Sequence, residues 1–160
     1  MQMKLYFLRH AHAEDATGVL SDHDRKLTSK GVKAAGVVAR LLHALEVEPD
    51  QIFTSPRLRA QQTAEIVATT LGLTIEVRDE VNFGFGIESV KKLIERFDDD
   101  SEVMFVGHEP TFSLTIGEIT GGRVQMKKAG IARVDLLTRQ PLKGELVWLI
   151  PPKVTGVLDE

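Results

Sequence analysis

An arginine and a histidine, Arg9 and His10, stand at the end of the apolar run Leu5-Tyr6-Phe7-Leu8. A buried strand takes uncharged residues, so a cation beside an imidazole at its end marks a site opening at the sheet edge. Open α/β sheets place their ligands at the carboxyl ends of their strands. The pattern recurs: Arg57 and Arg59 follow a second short apolar run, and Gly107-His108 follows a third. Phosphoryl transfer asks mainly for positioning and for positive charge around the equatorial oxygens. Arginine suits this because its planar fork holds two oxygens and stays charged. A neutral histidine can attack phosphorus and form a covalent phosphohistidine, splitting the reaction into two easier steps. Neighbouring arginines keep such a histidine neutral by lowering its pKa, and a second, protonated histidine could donate to a phosphoryl oxygen. The chain has no P-loop and no carboxylate cluster for magnesium, so these side chains have to supply the positive charge.

These residues need elements to position them. Lys4–Leu8 reads as a strand, and residues 10–27 as a polar loop long enough to be functional. Thr28 is a helix N-cap, followed by Val32, Ala35, Ala39 and Leu42 at helical spacing to about Leu45. Gln51–Thr54 is a short strand. Ser55-Pro56 then predicts a helix start, a serine cap followed by a proline whose missing N–H costs nothing; the helix carries Ala60, Ala64, Val67 and Leu71 and stops at Gly72. A strand over Thr74–Val77 leads to a loop over Asp79–Ile87 and a helix over Glu88–Phe97, ended by the solvated Asp98-Asp99-Asp100. Val103–Val106 is a buried strand ending at Gly107-His108, and a helix from near Glu109-Pro110 ends by Gly121-Gly122. Ile131–Leu137 and Glu145–Ile150 are two strands, a hairpin around Pro141-Leu142-Lys143-Gly144, and the tail from Pro151 is expected to be loosely held. The alternation predicts a three-layer α/β/α domain with a mostly parallel sheet. Parallel strands would bring His10, Arg59, Glu80 and His108 to one edge.

Composition narrows the classes. A chain of 160 residues fits a single domain, residues 1–160, with a core that needs no staple. A net charge of −3 without a basic run speaks against nucleic-acid binding. No cysteine is present, which excludes disulfides, thiol catalysis and thiolate metal sites. The apolar start is too short for a signal peptide or membrane span, so no membrane partner and a cytoplasmic location are expected.

Four blocks in order then resemble a known family. Leu8-Arg9-His10, Leu27-Thr28-Ser29-Lys30-Gly31, the run Ser55-Pro56-Arg57-Leu58-Arg59-Ala60-Gln61-Gln62-Thr63-Ala64, and Gly107-His108-Glu109-Pro110 resemble the histidine phosphatase superfamily, the phosphoglycerate mutase-like family. The resemblance implies that His10 is the nucleophile that becomes phosphorylated, that Arg9 and Arg59 bind phosphoryl oxygens, and that His108 completes the pocket. Arg59 rather than Arg57 falls on the family's arginine, directly before Ala60; its place in the first turn of a helix adds backbone N–H groups near the anion. Arg57 is expected beside the site, on the surface or in contact with substrate. Ala11 stands where the family usually has glycine, a choice familiar among the small bacterial phosphohistidine phosphatases (SixA-type), which the chain also resembles in length and in Arg25-Lys26-Leu27-Thr28. Larger members place a glutamate after the third strand, which makes Glu80 the candidate general acid, with the adjacent Asp79 as its alternative. A P–N bond breaks more readily than an alkyl phosphate ester, so a phosphohistidine phosphatase can manage without a strong acid.

The reading is a phosphatase working through a covalent phosphohistidine, without cofactor or metal, removing phosphate from phosphohistidine on proteins. Its rivals are a small-molecule phosphomonoester phosphatase and a phospho-binding module without turnover. His10-Ala11-His12 has the look of a metal pair with His108 as third ligand, but alternate strand residues face opposite sides and no carboxylate-rich motif accompanies them. His12, His23 and His43 are expected to be exposed, and Asp24 and Arg25 could contact substrate from the loop, though a solvated loop is the commoner explanation.

Overall fold

Along β1 (Lys4–Arg9) successive side chains go to opposite faces of the sheet and both faces are buried, Leu5 and Phe7 on one side, Tyr6 and Leu8 on the other. A strand buried twice needs a helical layer on each face. The computed structural model, which describes residues 2–158, supplies both. On one face α1 (Ser29–Ala44) and α2 (Leu58–Leu71) place Ala35, Val38, Leu42, Ala64 and Val67 against Tyr6, Ile52 and Met104. On the other, α3 (Ile87–Ile94) and α4 (Thr111–Thr120) pack Val90, Leu93, Phe112 and Ile116 against Phe7, Phe53 and Phe105. The second layer is knit by aromatic contacts, Phe7 lying edge-on to Phe112 at 5.5 Å and Phe85 to Phe112 at 5.0 Å.

The remaining strands are β2 (Gln51–Thr54), β3 (Ile75–Val77), β4 (Glu102–Gly107), β5 (Ile131–Arg139) and β6 (Leu142–Ile150), and the six-stranded sheet runs β3-β2-β4-β1-β5-β6. The first four are parallel; β5 is antiparallel to β1, and β6 to β5. The sheet is therefore mixed rather than mostly parallel. Its hairpin turns at Gln140-Pro141, earlier than expected, and so short a connection permits only antiparallel pairing.

From β1 the chain passes through α1 to β2 on one side, whereas from β4 it passes through α4 to β5 on the other. The gap between the carboxyl ends of β1 and β4 is thus the topological switch point, where sheets of this type hold ligands. Arg9 lies opposite Gly107, and His10 N donates to Gly107 O at 3.0 Å. Glycine is required there, because a Cβ would sit 2.8 Å from the Phe112 ring.

The helices differ in detail from their sequence reading. Thr28 caps α1 by accepting from Gly31 N, yet Val32 is half exposed and Val38 completes the buried stripe. Gly31 is what approaches the 10–27 loop, where a Cβ would lie 2.0 Å from His12 O. α3 begins one residue early and stops at Ile94. Residues expected to form a loose tail instead make a short helix, α5 (Pro152–Leu158), beside α1; Pro152 opens it, the position where proline costs no hydrogen bond. Among the described residues no helix is long and apolar enough to cross a membrane.

Candidate active site

His10 is only 6% exposed, and its Nδ1 lies 2.8 Å from Ala11 O. A carbonyl can only accept, so Nδ1 carries the proton and Nε2 keeps its lone pair. Toward that lone pair Arg59 Nε–H donates at 3.3 Å. Burial, with the charges of Arg59, Arg9 and Lys128, pushes the His10 pKa down to about 4 against the pull of the Ala11 hydrogen bond. The ring is neutral near pH 7, as a nucleophile must be. Thr63 Oγ1 fixes the turn by accepting from Ala11 N at 3.1 Å and donating to Arg59 O at 2.8 Å, so the end of β1 and the first turn of α2 are tied together.

His108 leaves the neighbouring strand end, with its ring centroid 5.3 Å from that of His10. Its Nε2 is 2.7 Å from Ser55 Oγ, an oxygen that also accepts from Arg57 N at 3.3 Å. Ser55 thereby orients the His108 ring through Nε2. Burial and the charges of His10, Arg59 and Arg57 push its pKa down to about 3. His108 is therefore uncharged near pH 7, rather than the protonated histidine that could have donated to a phosphoryl oxygen. Its Nδ1 and Arg9 Nε are buried without a partner among the described residues, and Arg9 is otherwise held by Met126 O at 3.0 Å from NH1. An unpaired buried polar atom costs roughly 1–3 kcal/mol and marks functional sites more often than ordinary cores. Two of them near the neutral His10 imidazole fit a pocket built for an anion.

The two arginines of the second strand end take different parts. Arg59 is 4% exposed, and besides His10 it meets Asp22 O at 2.8 Å and Asp22 Oδ2 at 3.3 Å. Arg57 donates to Asn82 Oδ1 at 2.8 Å and to Asp22 Oδ2, with its guanidinium 3.9 Å above the Phe83 ring. Asp22 thus seats a carboxylate in the arginine forks. Burial would raise its pKa, but the Arg25 hydrogen bond and the Arg59 and Arg57 charges outweigh that and hold it ionised.

Glu80 does not join this group. Its carboxylate is bound by Arg78 at 2.6 Å and Lys92 at 3.1 Å, and the Arg78 hydrogen bond, against burial, holds its pKa down at about 2. A carboxylate held so in the free protein is ionised near neutral pH, which weighs against Glu80 as general acid. Asp79 opens the 3₁₀ turn Asp79–Val81 that carries it. His12 is half-buried rather than exposed, 2.7 Å from Thr28 Oγ1. Among the described residues no three His, Asp or Glu side chains are grouped to hold a metal ion.

Sequence reasoning missed Ser55, Asp22 and Phe83. Ser55 is not a cap: α2 starts at Leu58 with Arg57 as N-cap, and Ser55, fully buried, serves His108. Asp22 lies in a loop that has no periodicity to read. Phe83, packed edge-on to His108 at 4.9 Å and half exposed, left one trace, an aromatic between Asn82 and Gly84 in a polar turn.

Comparison with known proteins agrees with this geometry. The chain is 36% identical over 94% of its length, and 98% of the relative's, to an uncharacterised protein of Picosynechococcus. It is 25% identical to the phosphohistidine phosphatase SixA of Escherichia coli, covering 94% of both chains. A structure of the protein histidine phosphatase SixA complexed with tungstate superposes with a TM-score of 0.84 at 26% identity, over 95% of this chain and 99% of that one. Residues 5–86 match the model of the histidine phosphatase superfamily (branch 1), and the chain belongs to that superfamily as a phosphatase.

Proposed function

We propose that this phosphatase removes the phosphoryl group from phosphohistidine on proteins, through a phosphoenzyme on His10. His10 Nε2 attacks phosphorus with its lone pair while the P–N bond to the substrate imidazole breaks. The Nδ1–H bond to Ala11 O supports the charge that the ring gains on phosphorylation. Arg9, Arg59 and His108 face the phosphoryl oxygens, a set of preorganised donors of the sort that stabilises transferring charge. Water then attacks phosphorus, the bond to His10 breaks, and inorganic phosphate leaves.

One observation carries the choice of substrate. Glu80, the carboxylate expected to protonate a leaving oxygen, is locked in ion pairs, and Asp22 is held ionised by arginines. An alkoxide needs a proton as it departs, whereas a phosphoimidazole protonated at its other nitrogen leaves as neutral imidazole. The likeness to SixA proteins supports the same reading, since tungstate has the tetrahedral oxyanion shape of phosphate. The experiment is a panel offering phosphohistidine peptide, phosphoserine peptide and small alkyl phosphates to one preparation, with His10→Ala as control. Phosphohistidine should be turned over fastest, an acid-labile, base-stable phosphate should be trapped on the wild-type protein, and His10→Ala should be dead. A preference for alkyl phosphates, or full activity in His10→Ala, would overturn the reading.

A further inference from the structure

Beside the proposed nucleophile, and sharing Arg9 with its site, lies a cavity of about 510 Å³ whose walls carry Arg9, His12, Lys30, Lys127, Lys128 and Lys153. Its lysines come from the first turn of α1, from the loop before β5 and from α5. Lys30, Lys127, Lys128 and Lys153 have no ion pair with any described residue, in a protein whose net charge is −3. Like charges gathered round one hollow repel, and a protein with acidic residues to spare has left them uncompensated.

The lysine loop is fastened to the reaction centre. Ala129 N donates to both Arg9 O and His10 O at 3.1 Å, and Met126 O receives the Arg9 guanidinium. Ala129, buried, sits at φ 60°, in the left-handed region that a non-glycine residue enters at a cost. The strained residue follows Lys127-Lys128 directly, so the backbone bend that holds these lysines is anchored on the carbonyls of Arg9 and His10. The field of Lys128 reaches the His10 ring, where it is among the charges lowering the pKa.

The geometry points to a second anion subsite in this cavity, which binds an acidic group of the same substrate whose phosphoryl group lies on His10. That acidic group has two sources, Asp or Glu side chains flanking a phosphohistidine, or a second phosphate on a small molecule. The inference rests on the phosphatase reading but not on the phosphohistidine one.

The test compares substrates that differ only in the second anion. Phosphohistidine peptides with Asp/Glu, Ala or Lys flanks, and an alkyl bisphosphate against its monophosphate, are offered to the wild-type protein, to Lys30→Ala/Lys127→Ala and to Lys127→Glu. Lys128 is kept, because its charge also acts on His10. A partly exposed ion pair changes an equilibrium up to about fivefold, so two lysines should give the wild-type protein roughly a 5- to 25-fold preference in kcat/KM for the acidic flank. The preference should collapse in the double alanine variant, reverse toward Lys flanks in Lys127→Glu, and fade at about 0.5 M salt as screening shortens its reach. Free phosphoimidazole, which carries no second anion, should be turned over alike by all three proteins. A preference confined to the bisphosphate identifies the small-molecule source and keeps the subsite. Absence of any second-anion preference in both substrate pairs, or its survival in the double variant, overturns it. If no phosphohistidine substrate is turned over, the proposed function fails and the bisphosphate pair alone decides the subsite.

Discussion

Replacing Arg59 by alanine should cost far more than replacing Arg57, although only Leu58 separates the two in the same motif. Arg59 is buried at the ring nitrogen proposed to attack, with its Nε–H on His10 Nε2. Removing a preorganised donor of this sort typically costs about 10²–10³-fold in rate, or roughly 2.7–4 kcal/mol of transition-state stabilisation. Arg57 touches neither histidine by hydrogen bond; its fork is spent on Asn82 and Asp22, and its plane on Phe83. Its side chain is 17% exposed, and breaking such a pair is worth about 1 kcal/mol, a factor near five. Arg59→Lys should recover less than a tenth of the lost activity, because an ammonium keeps the charge without the fork. Loss of Arg59 also removes a charge that depresses the His10 pKa, so the acid limb of kcat/KM should move to higher pH in Arg59→Ala and stay in place in Arg57→Ala. The assay is steady-state release of phosphate from a phosphohistidine peptide between pH 4 and 8, with thermal unfolding to show that both variants are folded. A larger loss in Arg57→Ala, or equal losses with unmoved acid limbs, would refute the assignment.

Other outcomes follow from the same geometry. With His10 at about 4 and His108 at about 3, wild-type kcat/KM should hold its plateau well below pH 6 and fall only near pH 4, where His10 protonates. Stability moves with it: the unfolded chain binds these protons from about pH 6.5 downward and the folded protein does not. Chemical denaturation should therefore show stability flat above about pH 6.5 and falling toward pH 4, by up to roughly 3 kcal/mol for His10. Glu80→Gln should change turnover of phosphohistidine and of alkyl phosphates by less than about threefold; a loss of about 10² or more on the alkyl ester alone would restore its role as acid. Ser55→Ala leaves both His108 nitrogens buried without partners, which should cost roughly 1–3 kcal/mol in denaturant unfolding and lower kcat with little change in KM. An unfolding midpoint matching wild type would show that the His108 contact is dispensable.

Where a residue type has one strong physical preference, the sequence was readable. The doubly buried β1 announces itself as Leu5-Tyr6-Phe7-Leu8, Thr28 caps α1, Gly72 ends α2 at φ 72°, and the histidines follow strands that the topology brings side by side. Ser55-Pro56 misled because its local signal is that of a cap, while the actual demand on Ser55 comes from His108, distant in sequence. The ion pairs of Glu80 were hidden for a related reason. Its place after the third strand is right for an acid, but the partners that ionise it, Arg78 and Lys92, are set by how the 79–81 turn meets α3. The closing hairpin was legible from its turn residues, but the antiparallel pairing of β5 with β1 was not, since hydrophobic period does not carry direction.

The carboxylate that Asp22 rests between Arg57 and Arg59 bears on how each catalytic cycle ends. Bare arginines clamped on a phosphate dianion would make a good trap, and an enzyme that keeps its product stops working as product accumulates. Here any arriving anion must compete with a carboxylate already in reach, and the departing phosphate leaves behind arginines whose former partner is a short side chain away. Affinity for free phosphate is thereby the difference between two liganded states, smaller than the charges alone would give. In the proposed reaction the loop of residues 10–27 would then act as a standing competitor, favouring turnover over retention.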